Sequence, residues 1–362
     1  MFLVCVMKIV LLGDLHFGVK NASEVMMRHQ SKFFNLLFDY IDTHNIDTIF
    51  QLGDQLDNRR NCNLKTIDFA YKSFFDIIEK RGYEYHTLIG NHDVFYKETL
   101  DITSSDLLFR NYKCVHVHNQ PTTLTFDGVT FDIIPWICEQ NAEQCYKMID
   151  QSKSDYCLGH FAINEFPVVG TTLFEGGIDR HMFDHYKQVF SGHFHSRSHK
   201  GNISYIGTPY QLTWSDAFGE NGFVVFDTQT LTWEYVANDN RYYHYITYDD
   251  SAPGLTTNLS KLNIEDTFVK VVVKSKNKPF LYNNYMSKVF ACRPADVKIV
   301  DQMLLDLQNG DVDSSVSVKN TVELINDYIN GLEVENKEDL IRYMTALYNE
   351  AVQLQDEVDA DS

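Results

Sequence analysis

Short runs of apolar and β-branched residues recur along the first half of the chain and alternate with longer stretches in which apolar positions return every three to four residues. Lys8-Ile9-Val10-Leu11-Leu12 and Asp47-Thr48-Ile49-Phe50-Gln51-Leu52 are of the first kind, and their length, β-rich content and terminating glycine predict buried strands. Residues 23–44 are of the second kind, with Ser23 as N-cap and Phe33, Leu36, Leu37, Tyr40 and Ile41 on one helical face. Residues 66–81 repeat that spacing with Ile67, Ala70, Tyr71, Phe74, Ile77 and Ile78, a stripe that predicts core or a dimer surface. After Gly207-Thr208-Pro209 the pattern becomes antiparallel, because 222–226 and 231–236 flank a polar turn and predict a hairpin. The alternation over residues 8 to about 235 predicts an α/β fold with a sheet of mixed direction.

The polar, tyrosine-rich segment 238–250 reads as the exit from this first unit. Strands at 268–274 and 297–300 with a helix at 282–292 predict a small α+β unit after it. Residues 311–315 read as a linker, and two amphipathic helices are expected at 318–331 and 337–355. The second is capped by Asn336 and striped with Leu340, Ile341, Met344, Leu347 and Tyr348. Short terminal helices need something to pack against, here the preceding unit or another protein. The expected division is therefore 1–238, 239–310 and 311–362.

Composition narrows the class. With 362 residues, 44% hydrophobic and 14% aromatic, the chain has enough apolar material for one large core and a smaller second one, which excludes a disordered or low-complexity protein. Seven scattered cysteines without a Cys-x-x-Cys pair argue against a disulfide framework or zinc knuckle and favour a reducing compartment. Met1-Phe2-Leu3-Val4-Cys5-Val6-Met7 lacks a basic leader and is expected to belong to the fold. No membrane span is expected. The net charge of −19 is unlike the basic footprint of a nucleic-acid protein, but its distribution is uneven. Residues 261–298 hold seven lysines and one arginine against three acids, whereas 301–362 hold fifteen acids and three bases. The basic stretch is either a phosphate-binding surface or ordinary solvated surface.

Five short motifs follow strand-like runs: Asp14-Leu15-His16, Gly53-Asp54, Gly90-Asn91-His92-Asp93, Gly159-His160 and Gly192-His193-Phe194-His195. If the strands share a sheet, their carboxyl ends converge and residues almost 200 positions apart meet in one cleft. Asp, His and Asn together suit divalent cations that act on phosphate, since carboxylates supply charge and neutral imidazole or amide ligands keep the site from carrying too much of it. Two such cations share a bridging carboxylate and hold both sides of a scissile phosphate. Asp54, after the second strand, is the candidate bridge. The other nine histidines, including His29, His86 and His118, read as surface or satisfied structural residues.

In order and spacing these motifs resemble the calcineurin-like metallophosphoesterase superfamily, and within it the SbcD-type nucleases of double-strand-break repair. Val19-Lys20, Gly53-Asp54-Gln55-Leu56-Asp57, Ile134-Pro135-Trp136 and the Ser191–His195 stretch are similar to the recombination endonuclease nuclease subunits of T-even-type phages. The resemblance covers residues 8 to about 236 and implies a metallophosphoesterase sandwich of mixed β-sheets flanked by helices. It implies that Asp14, His16, Asp54 and His195 hold one metal, and Asp54, Asn91, His160 and His193 the other. It makes His92 the catalytic histidine that faces phosphate and not a ligand. The cations implied are Mn2+ first and Mg2+ second.

One position departs from that pattern. Many cellular relatives carry a histidine three residues after the bridging aspartate, where this chain has Asp57. Asp57 is expected to orient His92 or a metal-bound water. Arg59 and Arg60 either grip phosphate or are ordinary solvated arginines.

The resemblance further implies a DNA exonuclease and endonuclease, the nuclease subunit of an SbcCD-like recombination and repair complex, working in the cytoplasm of a bacterial host. Its partners would be DNA, an SbcC-type coiled-coil ATPase docked on the helices from about 318, and a second copy joined through helices near 66–81 and 98–111. Two alternatives stay open: another phosphoesterase of the protein phosphatase kind, and a scaffold that recruits a DNA ATPase.

Overall fold

The strand Lys8–Leu12 lies inside a six-stranded sheet, antiparallel to Gly222–Asp227 on one side and parallel to Thr48–Gln51 on the other. Glu84–Leu88 and Val115–His118 continue the parallel side, and Thr232–Ala237 closes the antiparallel edge, so the expected mixed direction is present. The structure, a computed structural model, describes residues 7–109, 111–169, 172–301 and Lys337. The expected linker 311–315, the helix 318–331 and all of 337–355 except Lys337 lie outside the described residues.

A second six-stranded sheet runs in the order Ser198–Lys200, Ile203–Tyr205, Gln188–Gly192, Tyr156–His160, Val129–Ile134, Thr122–Phe126. Side chains alternate across a strand. Ile9, Leu11 and Phe50 therefore meet Phe131, Ile133, Leu158 and Phe190 between the sheets. Val10, Leu12 and Ile49 point the other way, onto Phe33, Leu37 and Phe74 of the helices. The outer face of the second sheet is covered by Ala142–Gln151 through Cys145 and Ile149. The result is a mixed α/β sandwich, two sheets face to face with helices outside. The five motif strands divide between these sheets, three on the first and two on the second, instead of sharing one.

Two helices differ in detail from expectation. Glu24–His44 forms with Ser23 at the N-cap position, yet the Ser23 side chain makes no capping hydrogen bond. Phe34 and Phe38 are buried beside the expected stripe, because Phe34 packs on Phe17 and Phe38 on Phe74. The second helix begins earlier, at Leu64, where the Asn63 side chain accepts from the Lys65 N–H at 2.9 Å. It is interrupted by a π turn, Tyr71–Phe75, before resuming as Asp76–Arg81. The adjacent rings Phe74 and Phe75 of this wider turn are both buried in the core.

A third sheet, Tyr243–Asp249, Phe268–Ser275 and Asp296–Asp301, is wholly parallel, and Pro279–Ala291 crosses between its last two strands. That helix starts before the expected residue 282 because Pro279, with its fixed φ, opens the first turn. Arg28 donates to both Asp266 carboxylate oxygens (2.9 and 2.6 Å), and His29 stacks on Tyr242, so the unit is fastened to the long helix. Among the described residues no helix is long and apolar enough to cross a membrane.

Candidate metal centre

All five motifs emerge at strand ends and turn towards one point. Gly53 has φ 91°, and a Cβ there would sit 2.9 Å from the Gly90 Cα and collide with the His160 ring. A Cβ on Gly90 would overlap the Asp54 carboxylate. These glycines let loops from different strands approach closely enough for their side chains to share a site. His16, Asp54 and His193 also take positive φ (43°, 58° and 87°), a conformation that costs energy outside glycine and is held by the surrounding packing.

Two clusters result. In the first, His16 Nε2 lies 3.1 Å from His195 Nε2 and 4.0 Å from Asp14 Oδ2, which is 3.9 Å from His195 Nε2. In the second, Asn91 Oδ1 lies 3.0 Å from His160 Nε2 and 2.9 Å from His193 Nδ1. Asp54 stands between them, its Oδ2 3.8 Å from His16 Nε2 and 3.4 Å from His160 Nε2. Asp14, His16 and His195 form one set with mutual spacing suited to a metal ion, and Asp54, His160 and His193 another. All seven expected ligands are thus brought together.

The donor chemistry fits cations. The His160 Nδ1–H donates to the Leu52 carbonyl at 2.6 Å, so a neutral His160 turns the lone pair of Nε2 towards Asn91 Oδ1 and Asp54. Several lone pairs then face one point, an arrangement that needs positive charge. Burial beside Asp54 pushes the Asp14 carboxyl up to about 7, although His160 opposes it. Burial pushes the Asp54 carboxyl up too, but His160, His92 and His16 outweigh it and hold Asp54 well below the usual carboxylate range. Asp54 and Asp14 overcome burial at His160 and raise it to about 9, while burial lowers His193 to about 3 and His16 well below its ordinary value.

His92 stands over the first cluster with its ring edge-on to His16 at 4.9 Å. Its backbone N–H donates to Asp54 Oδ1 (2.8 Å), and its Nδ1 lies 2.7 Å from the Asp57 backbone carbonyl. His92 is therefore oriented by the main chain of residue 57, whereas the Asp57 carboxylate points to His16 Nδ1 at 3.6 Å. Arg59 is half-buried and Arg60 exposed on the same loop, which is turned by Asn58 Oδ1 accepting from the N–H groups of Arg60 and Asn61.

Several positioning residues carry no sequence signal of their role. The buried Asp93 carboxylate accepts from the N–H groups of Asp54 (2.8 Å), Gly90 (2.9 Å) and Gln55 (2.9 Å), tying the second and third motifs together. Gln51 Nε2 donates to the Gly13 carbonyl at 3.1 Å and also to that of Gly53. Gln55 Nε2 donates to Gln51 Oε1, the Tyr85 hydroxyl and Thr87 Oγ1 below the site. Trp136 covers the second cluster, its ring 5.2 Å from His193 and 6.0 Å from His160. A polar residue closing an apolar strand, as Gln51 does, is the one available hint.

Comparison with known proteins places these features in context. Residues 7–197 match the family described as calcineurin-like phosphoesterase. The chain is similar to "Exonuclease subunit 1" of Enterobacteria phage T4, with 31% identity over 355 residues that cover 96% of this chain and 100% of the phage protein. A solved structure titled as a novel archaeal phosphodiesterase aligns with a TM-score of 0.33 and 13% identity, covering 64% of this chain and 100% of its own.

Proposed function

The chain belongs to the calcineurin-like phosphoesterase family, and from that premise we propose that it is a metal-dependent DNA nuclease cutting phosphodiester bonds as both exonuclease and endonuclease. The observation that carries the reading is Asp54, placed between two ligand clusters and below His92. Asp14, His16, Asp54 and His195 would hold one cation, and Asp54, Asn91, His160 and His193 the second. Manganese is the proposed metal, with magnesium as the weaker substitute. Held by these residues, the cations would supply positive charge for phosphate oxygens and a water made nucleophilic near neutral pH.

The chain's own residues supply the rest. With its Nδ1–H donated to the Asp57 carbonyl, His92 presents Nε2 to the substrate, where it steadies charge on phosphate or passes a proton to the departing oxygen. The Asp57 carboxylate, beside His16 Nδ1, steadies the ligand ring. Arg59 and Arg60 border the phosphate path.

The T4 relative is named as a subunit, which supports a complex. We read the helices from about 318 as the dock for an SbcC-type coiled-coil ATPase in a host-cytoplasmic recombination complex. The helices around 64–81 and 104–109 carry exposed Leu64 and Leu107 and serve a homodimer. Residues 1–238 form the nuclease unit, 239–310 a DNA-facing cap, and 311–362 the partner-binding tail. Duplex DNA and a phosphopeptide offered with manganese test the substrate: cleavage of DNA alone supports the reading, and turnover of the phosphopeptide alone overturns it in favour of a phosphatase.

A further inference from the structure

The turn Trp214–Phe218 and the third sheet carry a group of rings that the reaction does not use. Phe218 is 79% exposed and lies stacked on Tyr245, with ring centroids 4.7 Å apart and planes 28° from parallel. Trp214 meets Tyr245 edge-on at 5.1 Å. Lys270 Nζ sits over both Trp214 (4.3 Å) and Tyr245 (4.6 Å) and donates to the Tyr245 hydroxyl at 3.0 Å. An exposed phenylalanine backed by a second ring presents one free π-face to solvent.

Two cations flank the rings. Lys270 and Arg241 are cations there, the latter donating to the Gly219 carbonyl beside Phe218 at 2.6 Å. The nearby acids are engaged: the Asp216 carboxylate accepts from the N–H groups of Leu212 and Thr213, both at 2.8 Å, and Glu220 pairs with Arg197 at 2.5 Å. The chain ties the segment that carries the shelf to the metal site. Thr208 donates its N–H to the His195 carbonyl at 3.0 Å, Tyr210 bonds the Leu15 carbonyl between Asp14 and His16, and the same segment ends in the turn Trp214–Phe218. The Tyr243 hydroxyl donates to the Leu212 carbonyl at 2.7 Å, fastening the third sheet to that turn.

We propose that Phe218, backed by Tyr245 and Trp214 and flanked by Lys270 and Arg241, is a stacking shelf for an unpaired base of single-stranded DNA whose backbone leads to the metal centre. This rests on the nuclease reading. Stacking on an aromatic face is open to any base but requires it to be unpaired, while the cations follow the backbone. The shelf therefore favours single strands and frayed ends over intact duplex.

Fluorescence anisotropy of the full chain with labelled oligo(dT) and with a blunt hairpin duplex, both in EDTA, reads the shelf without turnover. Phe218→Ala is expected to weaken oligo(dT) binding on the order of tenfold and duplex binding by less than about twofold, with Phe218→Trp restoring the preference. Because Phe218 is exposed, its truncation leaves the core intact. Oligo(dT) affinity unchanged in Phe218→Ala, or equal losses on both ligands, overturns the shelf. Hydrolysis of a chromogenic phosphodiester and of DNA by the wild type with manganese is measured separately: its absence defeats the nuclease reading, whereas the binding ratio judges the shelf.

Discussion

Asp93 ligates nothing in either cluster, yet its carboxylate gathers three backbone N–H groups from two loops. Burial and the neighbouring Asp54 push this carboxyl up to about 6, so near neutral pH it is ionised and holds those loops by charge-assisted hydrogen bonds. Asp93→Ala leaves three donors without that acceptor. It is expected to cost about 3 kcal/mol or more, read by denaturant unfolding, and to weaken manganese binding together with stability. Protonation of the ligands gives a second prediction. In the metal-free protein His160 holds a proton until about pH 9 and Asp14 until about pH 7, and cations must displace both. Manganese affinity should therefore rise with pH from below 7 to 9 with net proton release, measurable by calorimetry in two buffers of different ionisation enthalpy; affinity flat across that range would contradict it. The candidate ligands that the fold brings together stood out in the sequence because acidic and imidazole groups follow glycines at strand ends. Asp93 and Gln55 stood in the same motifs, but nothing in spacing reveals that a side chain serves a backbone N–H in a distant loop.

The parallel strands and the 222–237 hairpin were legible as elements, since short β-rich runs between turns leave few alternatives. The π turn at Tyr71–Phe75 was not, because periodicity assumes a constant turn and here two adjacent phenylalanines share the core. Val115–His118 was equally obscure, as its alternation of valine with histidine does not advertise burial. In the structure His86 Nδ1 lies 3.1 Å from His118 Nε2, and both rings stack on Phe50 between the sheets. Burial and the adjacent histidines depress His86 to about 3, and burial with His116 depresses His118 to about 4. The unfolded chain then takes up protons first on acidification. The stability tied to these two groups is fully present above about pH 6.5 and is lost as pH falls towards 4 and 3. Thermal melts of His86→Phe should show a shallower fall in Tm between pH 6.5 and 4 than wild type; parallel curves would remove the histidine pair as the cause.

At the scale of the molecule, charge and architecture coincide. The basic stretch 261–298 belongs to the third sheet and its helix, and Lys274 near the end of the strand Phe268–Ser275 and Lys276 and Lys278 in the connection after it are exposed. The formal charge of −19 conceals this face because much of the negative charge lies in 301–362. Replacing all three lysines with glutamine is expected to weaken DNA binding at all sequences and to reduce the slope of log affinity against log salt by up to about 2–3. An unchanged slope would move the phosphate contacts elsewhere. Two strands and the helix of this unit were legible from periodicity, but the strand Tyr243–Asp249 lies in the segment expected to be only an exit from the first unit, and neither it nor the unit's attachment was legible. Arg28 with Asp266, and His29 with Tyr242, join residues more than 200 positions apart and leave no periodic trace.

Residues from two sheets are proposed to build one dinuclear centre that cuts DNA. The most direct test is manganese-dependent cleavage of end-labelled duplex and single-stranded DNA by the wild type, Asp54→Asn and His92→Ala, with bound metal counted in each. The wild type is expected to cut and EDTA to abolish the cutting, and Asp54→Asn to lose both metal and cutting. His92→Ala is expected to retain two metals with a rate lower by about 10²- to 10⁴-fold. Wild type inert on every DNA, or Asp54→Asn cutting at the wild-type rate, would contradict the proposal.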